Sequence, residues 1–103
     1  DKILKDALEI SKSGAFGLII ECVVETLAKK ITRSVSVPTI GIGASKYCDG
    51  QILVTEDMLG LSGFAPKFVK QYANLNKLLE RCIKNYSKDV KAKRFPFNKN
   101  IYK

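Results

Sequence analysis

The sequence contains no histidine, and this absence excludes several kinds of catalytic site within the chain. Serine–histidine and cysteine–histidine nucleophiles need an imidazole base, and a histidine-ligated metal needs an imidazole donor. Proton transfer must therefore fall to a carboxylate, a lysine, a tyrosine or a cysteine. The three cysteines, Cys22, Cys48 and Cys82, lack metal-type spacing, and we interpret them as reduced residues that pack.

Long hydrophobic runs and targeting segments are also missing. The longest apolar stretch, residues 15–24, is interrupted by Glu21 and is shorter than the ~18 residues that a membrane span needs. No basic segment with a cleavage site indicates secretion. We therefore expect a cytoplasmic protein with no membrane partner. The chain begins at Asp1, which predicts either processing or a piece of a longer protein.

The 103 residues and an apolar share of 46% suit a single folded segment. The charge is uneven, because residues 64–103 hold eleven Lys/Arg against two Asp/Glu whereas residues 1–63 are close to neutral. A basic half can indicate binding to nucleic acid or to another anionic surface. We favour a solvated outer helix face, since the lysines mostly fall between apolar positions, and expect no nucleic-acid partner.

Hydrophobic periodicity predicts helices that alternate with strands. Gly14 is expected to stop the first helix, and a nearly continuous apolar run after it indicates a strand buried on both faces. Asn74 and Asn76 are expected to interrupt the C-terminal helical region. The predicted elements are helix 2–12, strand 15–24, helix 25–35, strand 37–43, strand 51–55 and helical residues from 68 to 90.

This order of elements indicates an α/β fold with a parallel sheet. Three strands would leave open sheet edges, and a (β/α)8 barrel of the TIM type needs about 250 residues. The chain therefore corresponds to about the last two-fifths of such a barrel, with the N-terminal half absent.

Glu21 is the most informative candidate for chemistry. It interrupts an apolar strand near the carboxyl end, where α/β enzymes place their catalytic residues. A partly desolvated carboxylate in that position can act as a general base. The alternative is a buried glutamate paired with a lysine from an adjacent strand. The pattern alone leaves both interpretations open.

Two further segments are weaker candidates. In Gly41–Ser45 the closely spaced glycines can bring backbone N–H groups to a ligand, or can simply allow tight packing. The segment has neither the dinucleotide fingerprint nor the P-loop ending. Glu56 and Asp57 follow the third strand and can bind a metal or act as acid and base, but we favour Asp57 as the cap of a helix that starts at Met58.

Many of these residues match one family in its own order, over almost the whole chain. The matching residues are Gly14–Phe16, Ile20–Val23, Leu27–Ala28, Ile31–Thr32, Pro38–Ala44, Asp49–Val54, Asp57–Gly60, Pro66–Phe68, Tyr86, Val90 and Phe95–Pro96. In this the chain resembles ketopantoate hydroxymethyltransferase, the first committed enzyme of pantothenate synthesis.

The resemblance implies the C-terminal portion of a (β/α)8 barrel, from about the sixth strand onward. It implies transfer of the methylene carbon of 5,10-methylenetetrahydrofolate onto 3-methyl-2-oxobutanoate, giving 2-dehydropantoate. Glu21 then corresponds to the family's proposed general base. Residues 43–46 (Gly43, Ala44, Ser45 and Lys46), with residues 56–63, correspond to neighbours of substrate or folate. Mg²⁺ is the implied cation. The two aspartates that bind the metal in the family, and the lysine that binds the substrate carboxylate, have no counterpart in this chain.

Two consequences follow from this implied arrangement. The isolated chain is expected to be inactive, and the full-length enzyme to be a homo-oligomer. The alternative function is a non-catalytic binding or assembly domain derived from the barrel.

Two residues depart from the family pattern: Val24 replaces a usual proline, and Ser45 stands where glycine is common. Serine would strain the loop if that position required a positive φ.

Overall fold

Short parallel strands and amphipathic helices make up the computed structural model, which describes residues 1–103. The chain divides into two units, one formed by residues 1–54 with 66–69 and the other by residues 55–65 with 70–103. The elements are α1 (Lys2–Lys12), β1 (Leu18–Glu21), α2 (Glu25–Ser34), β2 (Thr39–Ile42), β3 (Gly50–Gln51), α3 (Thr55–Met58), α4 (Leu75–Lys91) and a 3₁₀ turn (Asn98–Asn100).

The first unit contains a three-stranded sheet in the order β1-β2-β3. Both pairings are parallel, with Glu21 opposite Ile42 and Ile40 opposite Gly50. The prediction of an α/β fold with a parallel sheet is confirmed. Because β1 and β3 each have only one neighbour, both outer edges of the sheet are unpaired.

Helix α1 has the bounds that its periodicity predicts. The Asp1 side chain caps the start by accepting a hydrogen bond from the Ile3 N–H at 3.0 Å. The helix ends at Lys12, Ser13 closes the last turn, and Gly14 follows with a φ of +95°. That conformation favours glycine and turns the chain toward β1.

Helices cover only one face of the sheet. The core consists of the apolar side chains Ala7, Leu18, Ile20, Ala28, Ile31 and Cys48. Ile19, between two core residues of β1, is 63% exposed. The prediction that β1 is buried on both faces is wrong for this chain. We call the uncovered side, which by strand alternation and register carries Ile19, Glu21, Ile40 and Ile42, the open face.

Strand β3 is shorter and earlier than the predicted strand 51–55. The last ladder hydrogen bond runs from the Ile52 N–H to the Gly41 carbonyl oxygen at 3.0 Å. Strand β2 ends at Ile42, and the next residue, Gly43, has a φ of +61°. Residues 53–55 therefore have no strand to pair with, and α3 begins at Thr55.

The second unit corrects two predictions. Asp57 lies inside α3 and accepts a hydrogen bond from the Ser62 hydroxyl at 2.9 Å, so it does not cap a helix at Met58. Residues 68–74 are not helical; the Tyr72 N–H instead donates to the Met58 carbonyl at 2.8 Å. Asn74 is the N-cap of α4, which explains why the helix begins at Leu75.

Helix α4 separates basic from apolar side chains. Lys77, Arg81, Lys84 and Lys88 follow one another along one exposed face, as a solvated face would. Tyr86 contacts Phe95 edge to face, with 5.6 Å between the ring centroids. None of the helices combines the length and the apolar character that a bilayer crossing requires.

Candidate active site

A cleft of about 870 Å³ lies where β1 and β2 end, within the first unit. Parallel α/β sheets place ligands at the carboxyl ends of their strands, so this position favours a functional site. The lining residues are Cys22–Val24, Gly43–Lys46, Gln51, Lys67 and Phe68.

Gly43 shapes one wall of this cleft. Its φ of +61° lies in the left-handed region, which allows β2 to stop and the following loop to turn away. A Cβ atom at this position would lie 2.7 Å from the Phe68 ring. Glycine is therefore needed both for the backbone angle and for the seat of the aromatic ring.

Ser45 holds the loop after β2 in place through three hydrogen bonds. It is 3% exposed, and its hydroxyl oxygen accepts a hydrogen bond from the Tyr47 N–H at 3.1 Å. Its carbonyl oxygen accepts from the Gln51 side-chain amide at 2.7 Å and from the Cys48 N–H at 3.2 Å. These bonds fix the loop that presents Ala44 and Lys46 to the cleft.

A polar cluster that sequence reasoning missed supports the same loop. The Asp49 carboxylate accepts hydrogen bonds from the Thr39 N–H at 2.8 Å and from its hydroxyl at 3.2 Å. Thr39 is fully buried, and its hydroxyl lies 2.9 Å from that of Thr32. Asp49 therefore ties the start of β3 to the start of β2. In the sequence, the only indication of this cluster is Thr39, a polar residue at the start of an otherwise apolar strand.

Glu21 lies at the end of β1 but outside the cleft lining. Its side chain is on the open face and is exposed, without a hydrogen bond or ion pair to any residue of the chain. It instead borders a cavity of about 250 Å³ between α1 and β1. No lysine of this chain pairs with Glu21, and pairing with a lysine from another strand stays a prediction. The expected partial desolvation is also absent, because no element of this chain covers the open face.

Cys22 connects Glu21 to the cleft. Its N–H donates to the Ile42 carbonyl at 3.0 Å, which extends the ladder one step beyond the strand. Its φ of +52° is unusual for a residue other than glycine and turns the chain sharply toward α2. The structure thus brings Gly43, Ala44 and Ser45 together with Cys22, while Glu21 remains on the adjoining open face.

Comparison with known proteins decides the family. The family model for ketopantoate hydroxymethyltransferase matches residues 1–98. The chain belongs to this family. It is 53% identical over 103 residues to a 3-methyl-2-oxobutanoate hydroxymethyltransferase of Bartonella bacilliformis, and 52% identical over 103 residues to one of Clostridium beijerinckii.

A third relative with the same name, from Rhizobium rhizogenes, is 56% identical over 97 residues, which is 93% of the chain. The first two alignments cover 100% and 99% of the chain. The chain spans only 38% of the length of the Bartonella bacilliformis relative. The family is thus established over nearly every residue, whereas most of each relative lies outside the match.

The two departures from the family pattern leave the backbone undisturbed. Val24, which replaces a usual proline, has a φ of −54° and a ψ of 141°. That φ lies within the range of about −65 ± 15° that proline adopts. Ser45 is not among the residues with positive φ, so the strain expected from replacing glycine there is absent.

The residues of this chain do not form a metal site by themselves. No group of three or more His, Cys, Asp or Glu side chains is placed to hold a metal ion. Asp57 is engaged by Ser62, and Asp49 is engaged by Thr39. The residues of this chain therefore do not fit Mg²⁺ without ligands from elsewhere.

Proposed function

We propose that this chain supplies the general base and part of the ligand pocket of an enzyme of pantothenate biosynthesis. The reaction transfers the methylene carbon of 5,10-methylenetetrahydrofolate to C3 of 3-methyl-2-oxobutanoate and takes the hydroxyl oxygen from water, giving 2-dehydropantoate and tetrahydrofolate. The family match over residues 1–98 and the shared name of the relatives support this proposal. The observation that carries it is Glu21, an exposed carboxylate without a partner at the carboxyl end of β1.

The proposed role of Glu21 is to take the proton from C3 of the keto acid. That carbon lies next to a carbonyl, so the electron pair left behind is delocalised onto the keto oxygen and C3 becomes a nucleophile. Because no lysine or arginine neutralises Glu21 within the chain, its carboxylate is available to accept a proton. Mg²⁺, when bound, would supply Lewis-acid stabilisation to the keto acid, with ligands outside this chain.

We further propose that the sheet is part of a (β/α)8 barrel completed by other strands. The open edge of β1 offers unpaired backbone groups, and the open face carries isoleucines that a soluble monomer would normally cover. The cavity beside β1 also lies where a preceding strand would pair. The whole enzyme is proposed to be a cytoplasmic homo-oligomer.

The substitution Glu21→Gln tests the base. We would place the 103 residues in the Bartonella bacilliformis relative in exchange for its matching segment, and follow loss of the C3 proton of 3-methyl-2-oxobutanoate in D₂O by NMR. Removing a general base should slow this exchange at least ~10²-fold. The amide keeps the size and polarity of the side chain, so packing is unchanged.

Glu25→Gln is the matched control. Glu25 is another exposed carboxylate, four residues further on in the first turn of α2, and it lies outside the cleft. Its substitution should leave the exchange rate within about twofold of the parent, as for a surface charge that touches no reacting atom. Exchange at the parental rate in Glu21→Gln would disprove the assignment of Glu21.

A further inference from the structure

The side chain of Gln51 connects β3 to the loop that follows the neighbouring strand β2. Gln51 is the second residue of β3, and the register places it opposite Gly41 of β2. Its Nε2 amide group donates a hydrogen bond of 2.7 Å to the Ser45 carbonyl oxygen. A side chain on one strand thus holds the backbone of a loop that belongs to another.

Gly41 provides the space that this connection needs. A Cβ atom on Gly41 would lie 3.1 Å from both the Nε2 and the Oε1 atoms of Gln51, and 3.1 Å from the Cys48 Sγ. The φ of Gly41 is not in the left-handed region, so the backbone angle does not require glycine there. A glycine inside a strand often marks a close approach of another group. At Gly41 the approaching groups include the Gln51 amide.

The bond from Gln51 is the only hydrogen bond that joins residues 43–47 to another part of the chain. The other two bonds of Ser45, from the Tyr47 N–H and the Cys48 N–H, lie within the loop itself. The backbone N–H groups of the first four loop residues donate to no acceptor in the chain. Apart from its two ends, the loop therefore depends on one side-chain amide for its hydrogen-bonded attachment.

Ser45 passes the effect of this bond to the cleft wall. Its carbonyl oxygen and the Lys46 N–H belong to one planar peptide unit, so fixing the oxygen also fixes the direction of that N–H. Ser45 is 3% exposed, so water has little access to replace the Gln51 amide. Ala44 and Lys46, on either side of Ser45, line the cleft. The orientation of one peptide unit thereby determines how the wall is shaped.

Resting on the proposed function, we propose that Gln51 is a positioning residue of the reaction and acts through the Ser45 carbonyl. It holds the cleft wall formed by residues 43–46 in the conformation that turnover needs. Displacing such a wall by about 1 Å can slow a reaction by about 10²-fold, even when the altered residue lies away from the chemistry.

Gln51→Glu tests the donor with almost no change in size. A neutral carboxyl group can donate to the Ser45 carbonyl, whereas an ionised carboxylate cannot. That bond favours the neutral form and raises the pKa of the introduced carboxyl group. We would make the variant in the Bartonella bacilliformis relative that carries the 103 residues, and measure kcat/KM for 2-dehydropantoate formation from about pH 5 to about pH 8. The ratio of variant to parent should fall about fivefold as the pH rises, as for the loss of one hydrogen bond.

Gln71→Glu is the matched control. Gln71 is an exposed glutamine outside the cleft lining, and its side chain makes no hydrogen bond in the chain. Its ratio to the parent should stay constant with pH. Gln51→Met has a similar length but no donor, so it should lower kcat/KM about fivefold at every pH. Circular dichroism at each pH separates this effect from unfolding, because a purely structural role would leave kcat/KM of the folded variant unchanged.

A second measurement follows the loop itself and needs no turnover. Nitrogen-15 relaxation of the 103-residue chain gives the backbone order parameters of residues 43–46. In Gln51→Met these should fall from the ~0.85 of rigid backbone toward the ~0.6 of flexible segments, while those of β1 stay unchanged. A loop that stays equally rigid in this variant would overturn the proposal.

Two kinetic results would also overturn it. They are a parental kcat/KM in Gln51→Met, and the same pH dependence in Gln51→Glu and Gln71→Glu. Proton exchange at C3 in Glu21→Gln tests the proposed base separately. Loss of that exchange, together with parental turnover in Gln51→Met, would reject the role of Gln51 and leave the proposed function intact.

Discussion

At the scale of single residues, Gly43 determines how the loop after β2 leaves the sheet. Substitution by alanine combines a left-handed φ with a Cβ atom 2.7 Å from the Phe68 ring. We expect Gly43→Ala to lower the free energy of unfolding by about 1–3 kcal/mol. The ring of Phe68 should also move away from position 43.

Urea unfolding of three variants separates the cost of the left-handed backbone angle from the cost of the clash with the Phe68 ring. Gly14→Ala has a φ of +95° but meets no atom within 4 Å, so it reports the cost of the backbone angle alone. Gly63 has no left-handed φ and no atom within 4 Å of an added Cβ, so Gly63→Ala should leave the free energy of unfolding nearly unchanged. A loss in Gly43→Ala no larger than that in Gly63→Ala would contradict this account of the loop.

Single residues also show where sequence reasoning succeeds and stops. Glycine spacing and family resemblance predict a ligand pocket at Gly43, Ala44 and Ser45; the three residues line the cleft, and ligand binding there stays a prediction. The bond between Asp49 and Thr39 was not foreseen, because it joins residues ten apart through side chains that carry no motif. Roles for these residues remain predictions that binding and kinetics must test.

At the scale of elements, the predictions were best where the signals were local. Helix α1 has its predicted bounds since the capping Asp1 and the terminating Gly14 both lie beside it in sequence. The start of α4 was predicted too early, because Phe68 and Tyr72 continue a helical spacing in a segment that is not helical. The Tyr72 N–H of that segment donates to the Met58 carbonyl, a contact between distant residues that periodicity cannot reveal.

The entry to α2 offers a test at the same scale. Val24 has a proline-compatible φ of −54°, and its N–H donates no hydrogen bond in the chain. Its side chain is 69% exposed, so little packing would be lost. We expect Val24→Pro to raise the free energy of unfolding by about 0.4–1 kcal/mol, because proline restricts the unfolded chain.

Val35→Pro is the matched substitution at the other end of α2. Val35 has a φ of −94°, and its N–H donates to the Ile31 carbonyl at 3.0 Å. Proline there removes a hydrogen bond and should be destabilising. Thermal unfolding followed by circular dichroism compares the two variants. A Val24→Pro variant that unfolds at a lower temperature than the parent would show that this position does not accept proline.

At the scale of the whole molecule, the open face determines what the chain can do by itself. The order of helices and strands predicted a parallel α/β sheet, which is present with three strands. The predicted burial of both sheet faces is absent, because the helices of this chain pack against only one face of the three-stranded sheet. In the barrel proposed above, residues beyond this chain would bury the open face.

This dependence leads to a complementation experiment. We expect the 103-residue chain to form no 2-dehydropantoate alone, but to do so when it is refolded with the part of the Bartonella bacilliformis relative that lies outside the match. The isoleucines of the open face and the free edge of β1 would provide the contacts between the two pieces. Product formation and size-exclusion chromatography measure activity and association together.

Ile19→Lys provides the decisive variant for this association. Ile19 is 63% exposed in the chain, so lysine there should cost the chain itself little stability. In the assembled protein the same position would be buried, and an unpaired charge in an apolar interior is costly. The variant should therefore fold alone and fail to associate. Association equal to that of the parent chain, or turnover by the parent chain without its complement, would show that the open face is not completed by the rest of a barrel.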